Sequence, residues 1–384
     1  MISKIKIGNF KSLKDLTLDC GKLNIITGLN SMGKSSIIQA FLLLRQSFDR
    51  GFLKKEGLSL RGDLVDIGVA REALYQYAAK EEIQFDLNFE GHADAHSWIF
   101  GYQLNEEGKQ YNYNESDFIP FAEDSRNAYD SNDVDLASLS LFNAHFKYLD
   151  ADRWVKNQYE RSDFHVVQNR GVGRNGEYTA HYLASFGEEN IEESLMYPGT
   201  ENKNLLAQVS AWMGDISPGT IVKAEKIQGV NSVKLSYEFE TTTGRTNEVS
   251  PLNVGFGMTY VLPVIVLLLS ARPGDIILIE NPESHIHPKG QSSIGRLLTK
   301  VANLGVQLFI ETHSDHILNG TRVGIKDGIS SELVKIFFIE RGEFNTELYS
   351  QAILPEIDNE GGIKNWPKDF FDQSIKDLNY LFGI

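Results

Sequence analysis

The sequence predicts an α/β fold with a mainly parallel sheet and helices on both faces, on three observations. Near the start, a short apolar run, a glycine-rich turn and a helical pattern follow one another within residues 23–44. Between about 250 and 345, strand and helix patterns alternate, as they do where crossover helices cover a parallel sheet. The length of 384 residues, with 41% apolar and 23% charged side chains, allows one large core or two ordinary ones.

The first part, residues 1–70, opens with Met1-Ile2-Ser3-Lys4-Ile5-Lys6-Ile7, whose apolar–polar alternation is that of a half-buried strand. A second alternating strand candidate follows, so the start should hold antiparallel strands. Leu23–Thr27 then suits a buried strand, and Ile37, Ile38, Phe41, Leu42 and Leu44 recur at helical spacing. Between them, Gly28-Leu29-Asn30-Ser31-Met32-Gly33-Lys34-Ser35-Ser36 fits G-x-x-x-x-G-K-S/T. Glycines at Gly28 and Gly33 let successive N–H groups, those around Asn30, Ser31 and Ser36 among them, turn towards an anion. Lys34 would reach the β- and γ-phosphates of a nucleotide, and the Ser35 hydroxyl would ligate Mg²⁺. The helix behind them adds the positive end of its dipole. ATP with Mg²⁺ is the expected ligand.

Residues 71–250 are different: a mixed α+β insertion rich in Asn, Asp, Glu, Gly and Tyr, with strand candidates at Ile83–Phe89, Trp98–Leu104 and Val233–Phe239 and a surface loop at Tyr111–Ser116. No heptad pattern marks coiled-coil arms. The third part, 251–345, holds the strands Ile276–Ile279, Gln307–Ile310 and Lys335–Ile339 and a helix over Lys289–Ala302. Ile294, Leu297, Leu298, Val301 and Ala302 form its apolar face. A C-terminal extension, 346–384, completes the chain.

The third part carries a second constellation. Ile276–Ile279 ends in Glu280, the pattern of a buried strand that delivers a carboxylate to Mg²⁺. Asn281-Pro282-Glu283-Ser284-His285-Ile286-His287-Pro288 continues it, and the next strand ends in Glu311-Thr312-His313-Ser314. Upstream, Asn253-Val254-Gly255-Phe256-Gly257-Met258-Thr259 is another glycine-rich turn leading into a helix, suited to a second anion.

This order of motifs resembles the ABC-type ATPase heads of the SMC and overcoming-lysogenization-defect (OLD) class. Ile5-x-Ile7-x-Asn9-Phe10-Lys11-Ser12-Leu13 is similar to that group's first strand. The resemblance is closest to the small OLD-like AAA ATPases of bacterial anti-phage operons, such as the ATPase subunits of PARIS- or Septu-type systems. It covers about a third of the chain, with Trp366-Pro367-x-Asp369-Phe370-Phe371 at the tail and, more weakly, Tyr148-Leu149-x-Ala151-x-Arg153 in the middle.

The resemblance implies roles. Lys34 and Ser35 would hold phosphates and Mg²⁺, Glu280 would be the Mg²⁺-associated acid, and His313 the switch that senses the γ-phosphate. Gly255–Gly257 would cap the ATP of a second copy, so that two heads sandwich two ATP molecules, with His285–Pro288 along the interface. A separately encoded effector from the same operon, a nuclease or toxin, would be held or released on a phage-derived trigger. Two departures matter. The class has Asp then Glu at the strand end, whereas Glu280 and Asn281 stand here, and an amide cannot accept the proton from water. Glu283 is the candidate replacement, or equally an interface residue. Gly255 stands where the class has serine. Both departures predict slow hydrolysis, with ATP acting more as a clamp than as fuel. The glutamine loop of the class has no evident counterpart; Gly62–Gly68 occupies its place.

Composition bounds the alternatives. A net charge of −15 argues against broad affinity for DNA, although Lys4, Lys6, Lys11, Lys14 and Lys54, Lys55, Arg61 gather locally, most simply as solvated faces. One cysteine, Cys20, excludes an intrachain disulfide and suits a cytoplasmic protein. The start has no apolar secretory stretch. Val261–Leu269 is too short to span a bilayer, contains Pro263 and reads as a buried helix. Zinc at His285-x-His287 and His313-x-x-His316 is the weaker reading, since each pair sits within an ATPase motif. Asp150-x-Asp152 reads as a turn or an interface contact, and no nuclease domain is expected in the stretch after Ile339. The alternative function is a DNA-binding, SMC-like ATPase of DNA repair or maintenance.

Overall fold

The computed structural model describes residues 1–101, 116–122, 135–153, 159–161 and 163–383. All of the Tyr111–Ser116 loop except Ser116, and the end of the Trp98–Leu104 strand candidate, lie outside them. The fold is α/β with a mixed, largely parallel sheet. The chain divides into two compact units, one of Met1–Phe146, Lys335–Pro355 and Asn365–Ile384, the other of Lys147–Val334 and Glu356–Lys364. Residues 71–250, expected as one inserted lobe, are shared between the units.

In the first unit the strands Leu13–Asp19, Ile2–Phe10, Glu82–Phe89 and His96–Gly101 lie side by side in that order, each antiparallel to the next. The alternation read from the sequence buries Ile5 and Ile7 completely. It turns Lys4 and Lys6 outward, where they meet Asp19 at 3.1 Å and Asp15 at 3.7 Å across the strand pair. A second set of neighbours in this unit is Glu347–Ile353, Val334–Phe344 and the phosphate-loop strand Leu23–Gly28. Val334–Phe344 runs well past the expected Lys335–Ile339, because its far end pairs with Glu347–Ile353 as a hairpin. The tail returns to it: Phe370 is fully buried, with its ring 5.3 Å from Phe338 and 5.0 Å from Trp366.

In the second unit Gln307–Glu311, Ile276–Glu280 and Phe146–Leu149 are neighbours, the first two parallel and in register from Ile276 opposite Gln307 to Glu280 opposite Glu311. Helices Pro288–Asn303 and Asp315–Lys326 follow the two parallel strands. The first starts where the His287 side chain accepts the Lys289 N–H and Pro288 occupies the first turn, where a missing N–H costs nothing. The second starts at Ser314, whose hydroxyl accepts from the N–H groups of His316 and Ile317, a cap worth about 1 kcal/mol. The helices cross closely because glycine stands at the crossing: a Cβ on Gly295 would overlap the Ile317 carbonyl, one on Gly320 the Ser292 backbone, and one on Gly324 the Thr299 side chain.

Away from this core, Thr220–Lys226 and Ser232–Thr241 form an antiparallel pair against helices Thr179–Phe186 and Leu205–Met213. The apolar helix expected around 261–269 spans Phe256–Leu269, keeps Pro263 inside it, and is buried at every position from Val261 to Leu269. Among the described residues no helix is long and apolar enough to cross a membrane.

Candidate functional site

The phosphate loop is shaped by its glycines. Gly28, at the strand end, has φ +141° and lies against the Ile339 carbonyl, where a Cβ would overlap. Gly33, the residue before the helix Lys34–Asp49, is left-handed at φ +95°, and a Cβ there would meet the hydroxyls of Ser12 and Ser350. Those hydroxyls share a 2.7 Å hydrogen bond, and the Ser350 N–H donates to the Ser12 carbonyl at 2.8 Å, so the loop is backed by the turn at Ser12 and by the strand that holds Ser350. Ser31 is also left-handed, at φ +62°. Asn30, Ser31 and Ser35 are exposed, while Lys34 and Ser36 are buried. The Lys34 ammonium crosses the loop and donates to the Leu29 carbonyl at 2.7 Å.

These residues fit a polyphosphate. Two glycines in conformations or packing closed to other residues, the N-terminus of a long helix and an ammonium meet on one loop, with Ser35 exposed beside them. Beside it lies a cavity of about 340 Å³, bordered by Ser31 and Met32 of the loop and by Lys11, Tyr75, Arg341 and Tyr349. A larger cavity, about 620 Å³, lies in the second unit along Lys289–Asn303; no predicted site residue lines it. The expected counterpart of the glutamine loop, Gly62–Gly68, is a turn pinned by Gln46, whose Oε1 accepts the Val65 N–H at 3.1 Å.

The second unit gathers the remaining predicted residues around one strand end. Ile276–Ile279 are fully buried and Glu280 is half-buried. The Tyr148 hydroxyl donates to Glu280 Oε1 at 2.8 Å. Glu311 stands opposite Glu280 in register. Burial first, and the Glu311 charge second, raise the Glu280 carboxyl to about 7. Arg153 is 1% exposed, and its Nη2 donates to the carbonyls of Glu280 and of Asn281, the latter at 3.0 Å. Burial lowers its guanidinium to about 10, with Glu283 the strongest opposing influence. Asn281 itself is left-handed at φ +44°, its Oδ1 buried without a hydrogen-bond partner.

Glu283 faces the switch. Its Oε1 accepts the His313 N–H at 2.7 Å, and its Oε2 is buried without a hydrogen-bond partner. Burial raises this carboxyl, against hydrogen bonds that lower it. The His313 residue is exposed, between buried Thr312 and Ser314. The glycine turn joins the same neighbourhood: Gly257, in the first turn of the Phe256–Leu269 helix, packs on the His285 carbonyl, where a Cβ would overlap. The His285 ring stands edge-on to Phe256 and Tyr260, each 4.8 Å away. Gly255 has open space around it.

Sequence reasoning missed the contribution of Tyr148 and Arg153 to this site. The signal was present in the Tyr148-Leu149-x-Ala151-x-Arg153 run, but nothing local says that it ends beside Glu280. Asp150, in the same run, accepts the Asp152 N–H at 3.1 Å and pairs with Arg174 at 2.7 Å. Among the described residues no three or more His, Cys, Asp or Glu side chains group so as to hold a metal ion. A Mg²⁺ ion shared with phosphates and waters needs no such cage.

The family model described as "AAA domain, putative AbiEii toxin, Type IV TA system" matches residues 23–319. A second, described as a protein of unknown function (DUF3696), matches residues 329–381. Among solved structures, the SMC head bound to the C-winged helix domain of ScpA is 12% identical, with TM-score 0.48, over 92% of this chain and 98% of that one. The SMC head domain from Thermotoga maritima is 13% identical, with TM-score 0.44, over 93% and 99%. No curated protein matches the chain.

Proposed function

We propose that this chain, which belongs to the AAA-domain family whose model spans its residues 23–319, is an ATP-gated assembly factor rather than a fast motor. The observation that carries the reading is the left-handed Gly33 at the head of a long helix, with Lys34 folded across the loop and Ser35 exposed beside it. In this reading the loop N–H groups and Lys34 would bind the β- and γ-phosphates, the Ser35 hydroxyl would ligate Mg²⁺, and Glu280 would be the Mg²⁺-associated acid that the motif resemblance implies. Bound Mg²⁺ would neutralise phosphate charge. Tyr148 orients the Glu280 carboxylate, and His313 senses the γ-phosphate. Gly255 and Gly257, with their helix N-terminus, cap the ATP of a second copy.

Slow turnover is part of the proposal. Asn281 cannot take a proton from water, and Glu283 already spends one oxygen on the His313 backbone. ATP would then hold copies together, and the assembled form would control a separately encoded nuclease or toxin in anti-phage defence. That last step is supported by the motif resemblance alone. The test compares wild type with Lys34→Ala for ATP binding, ATP-dependent assembly and co-purifying protein. Wild type should bind ATP and gain mass with it, and Lys34→Ala should do neither. Rapid Lys34-dependent turnover by the isolated protein would overturn the clamp. ATP-dependent capture of DNA ends, with no protein partner, would favour the repair alternative.

A further inference from the structure

The cavity of about 620 Å³ in the second unit has one cationic border. Lys289, Arg296 and Lys300 line it at helical spacing along Pro288–Asn303. Lys289 is committed: its ammonium meets Asp215 at 3.1 Å, and Asp215 also accepts the Ser293 hydroxyl at 2.7 Å. Lys300 gives a hydrogen bond to the Ser194 carbonyl at 3.0 Å and keeps its charge. The Arg296 guanidinium makes no hydrogen bond or ion pair with any described residue. Asp327 is the remaining carboxylate among the described lining residues, so the cavity keeps a positive balance in a chain whose net charge is −15. Another border is aromatic and already fixed. Tyr197 and Trp212 line it with ring centroids 5.3 Å apart, edge to face. The Trp212 indole N–H donates to the Leu195 carbonyl at 3.0 Å and the Tyr197 hydroxyl to Asp215 at 3.2 Å. The Tyr197 N–H donates to Oε1 of fully buried Gln208 at 2.7 Å. A wall held at this many points needs little ordering when a ligand arrives.

We propose that this cavity is a second ligand site, one that takes a nucleotide-sized molecule in which a flat ring carries a phosphate group. Its volume is that of an ordinary small-molecule pocket. The Arg296 fork takes two phosphate oxygens, the Lys300 ammonium adds a point charge, and the ring lies against Tyr197 and Trp212. A bare inorganic anion would leave the aromatic wall unused, and a neutral ring would leave Arg296 unanswered. No residue of the phosphate loop borders the cavity, whose described lining lies wholly in the second unit. Binding here is therefore independent of Lys34.

The experiment titrates the full chain, without Mg²⁺, with UMP and AMP, which carry ring and phosphate, with uridine, which lacks the charge, and with pyrophosphate, which lacks the ring. Wild type, Arg296→Ala, Lys300→Gln and Lys34→Ala are compared by calorimetry. UMP or AMP should bind wild type with a Kd below about 1 mM, and uridine and pyrophosphate about tenfold or more weaker. Arg296→Ala should weaken the bound nucleotide about tenfold and Lys300→Gln about threefold, with Lys34→Ala unchanged. Hydrogen exchange should slow over residues 194–198 and 289–303 on binding, and not over 28–36. Neither nucleotide binding at up to about 10 mM would overturn the site, as would pyrophosphate binding as tightly as the nucleotide. A loss in Lys34→Ala with none in Arg296→Ala would move the ligand to the phosphate loop and overturn it too. Arg296 is exposed, so its alanine variant should melt within a few degrees of wild type. Should it fail to fold, Lys300→Gln gives the same comparison.

Discussion

The phosphate loop and the Glu280 strand end solve opposite problems. The loop works with backbone: glycines at Gly28 and Gly33 adopt left-handed or closely packed conformations so that N–H groups can turn, and its polar side chains at Asn30, Ser31 and Ser35 remain exposed. The strand end works with side chains in a dry setting, where Tyr148, Arg153, Glu280, Glu283 and Glu311 gather and burial moves the protonation of Glu280, Glu283 and Arg153. The first arrangement is written in a short run of sequence. The second depends on which strands the fold places side by side.

The comparison predicts that damage to the loop shows in ligand binding and damage to the strand end shows in stability. Lys34→Ala should lose about 100-fold or more in ATP affinity while melting within a few degrees of wild type, because the loop carbonyl to which its ammonium donates can be satisfied by water. Nucleotide titration and calorimetry of the same sample would expose a reversed pattern. Arg153→Ala should do the opposite. It strands the buried carbonyls of Glu280 and Asn281, at a cost of about 1–3 kcal/mol for each, with ATP affinity nearly kept in whatever fraction folds. Equal denaturation midpoints for this variant and wild type would erase the contrast.

A gain is expected at Glu280. Its folded carboxyl titrates near 7, above its ordinary 4.5, so the native state keeps a proton that the unfolded chain has released. Its contribution is complete below about 4.5 and is lost as pH rises towards 7. Without nucleotide or Mg²⁺, Glu280→Gln should therefore be about 1–3 kcal/mol more stable than wild type at pH 8, with the gap narrowing by pH 5.5. A gap that widens on acidification would mean that the carboxylate is stabilised, not strained. The smallest effect belongs to Gly255→Ser. The position has ordinary backbone angles, φ −58° and ψ 137°, and nothing near a new Cβ, so stability should change by about 0.5 kcal/mol or less. A large loss on melting would place a neighbour where the structure has none.

What the sequence made legible follows the same divide. Leu23–Gly28, the helix behind it, Ile276–Glu280 and Gln307–Glu311 were readable because strand–turn–helix order and apolar runs are local properties. The helix expected over Lys289–Ala302 begins one residue earlier, at Pro288, where the His287 cap sets its start. Harder to read was the Phe146–Leu149 strand, a four-residue element whose importance comes from its neighbour. Arg153 stands out in sequence only as the end of a weakly matching run; burial against two carbonyls is what gives it a place in the site. His285 invites a metal or interface reading from its spacing to His287, while its ring is packed on Phe256 and Tyr260. The basic run Lys4, Lys6, Lys11 and Lys14 reads most simply as a solvated face, and Lys4, Lys6 and Lys14 have carboxylate partners in Asp19, Asp15 and Glu347. Exposed pairs of this kind add about 0–1 kcal/mol, but they reduce the positive field that a polyanion would meet.

The crossing of the Pro288–Asn303 and Asp315–Lys326 helices has its own consequence. Gly295, Gly320 and Gly324 belong to no motif, yet each faces atoms that leave no room for a methyl group. In a library of random single variants, alanine at these positions should be depleted as strongly as within the phosphate loop. The first helix begins a few residues after Asn281 and the second just after His313, so a wedge between them would push the two turns apart. Mutational intolerance in this chain should thus trace the seam between two helices as clearly as it traces the nucleotide, and a ranking of sites by tolerance alone would confuse a hinge pin with a ligand contact.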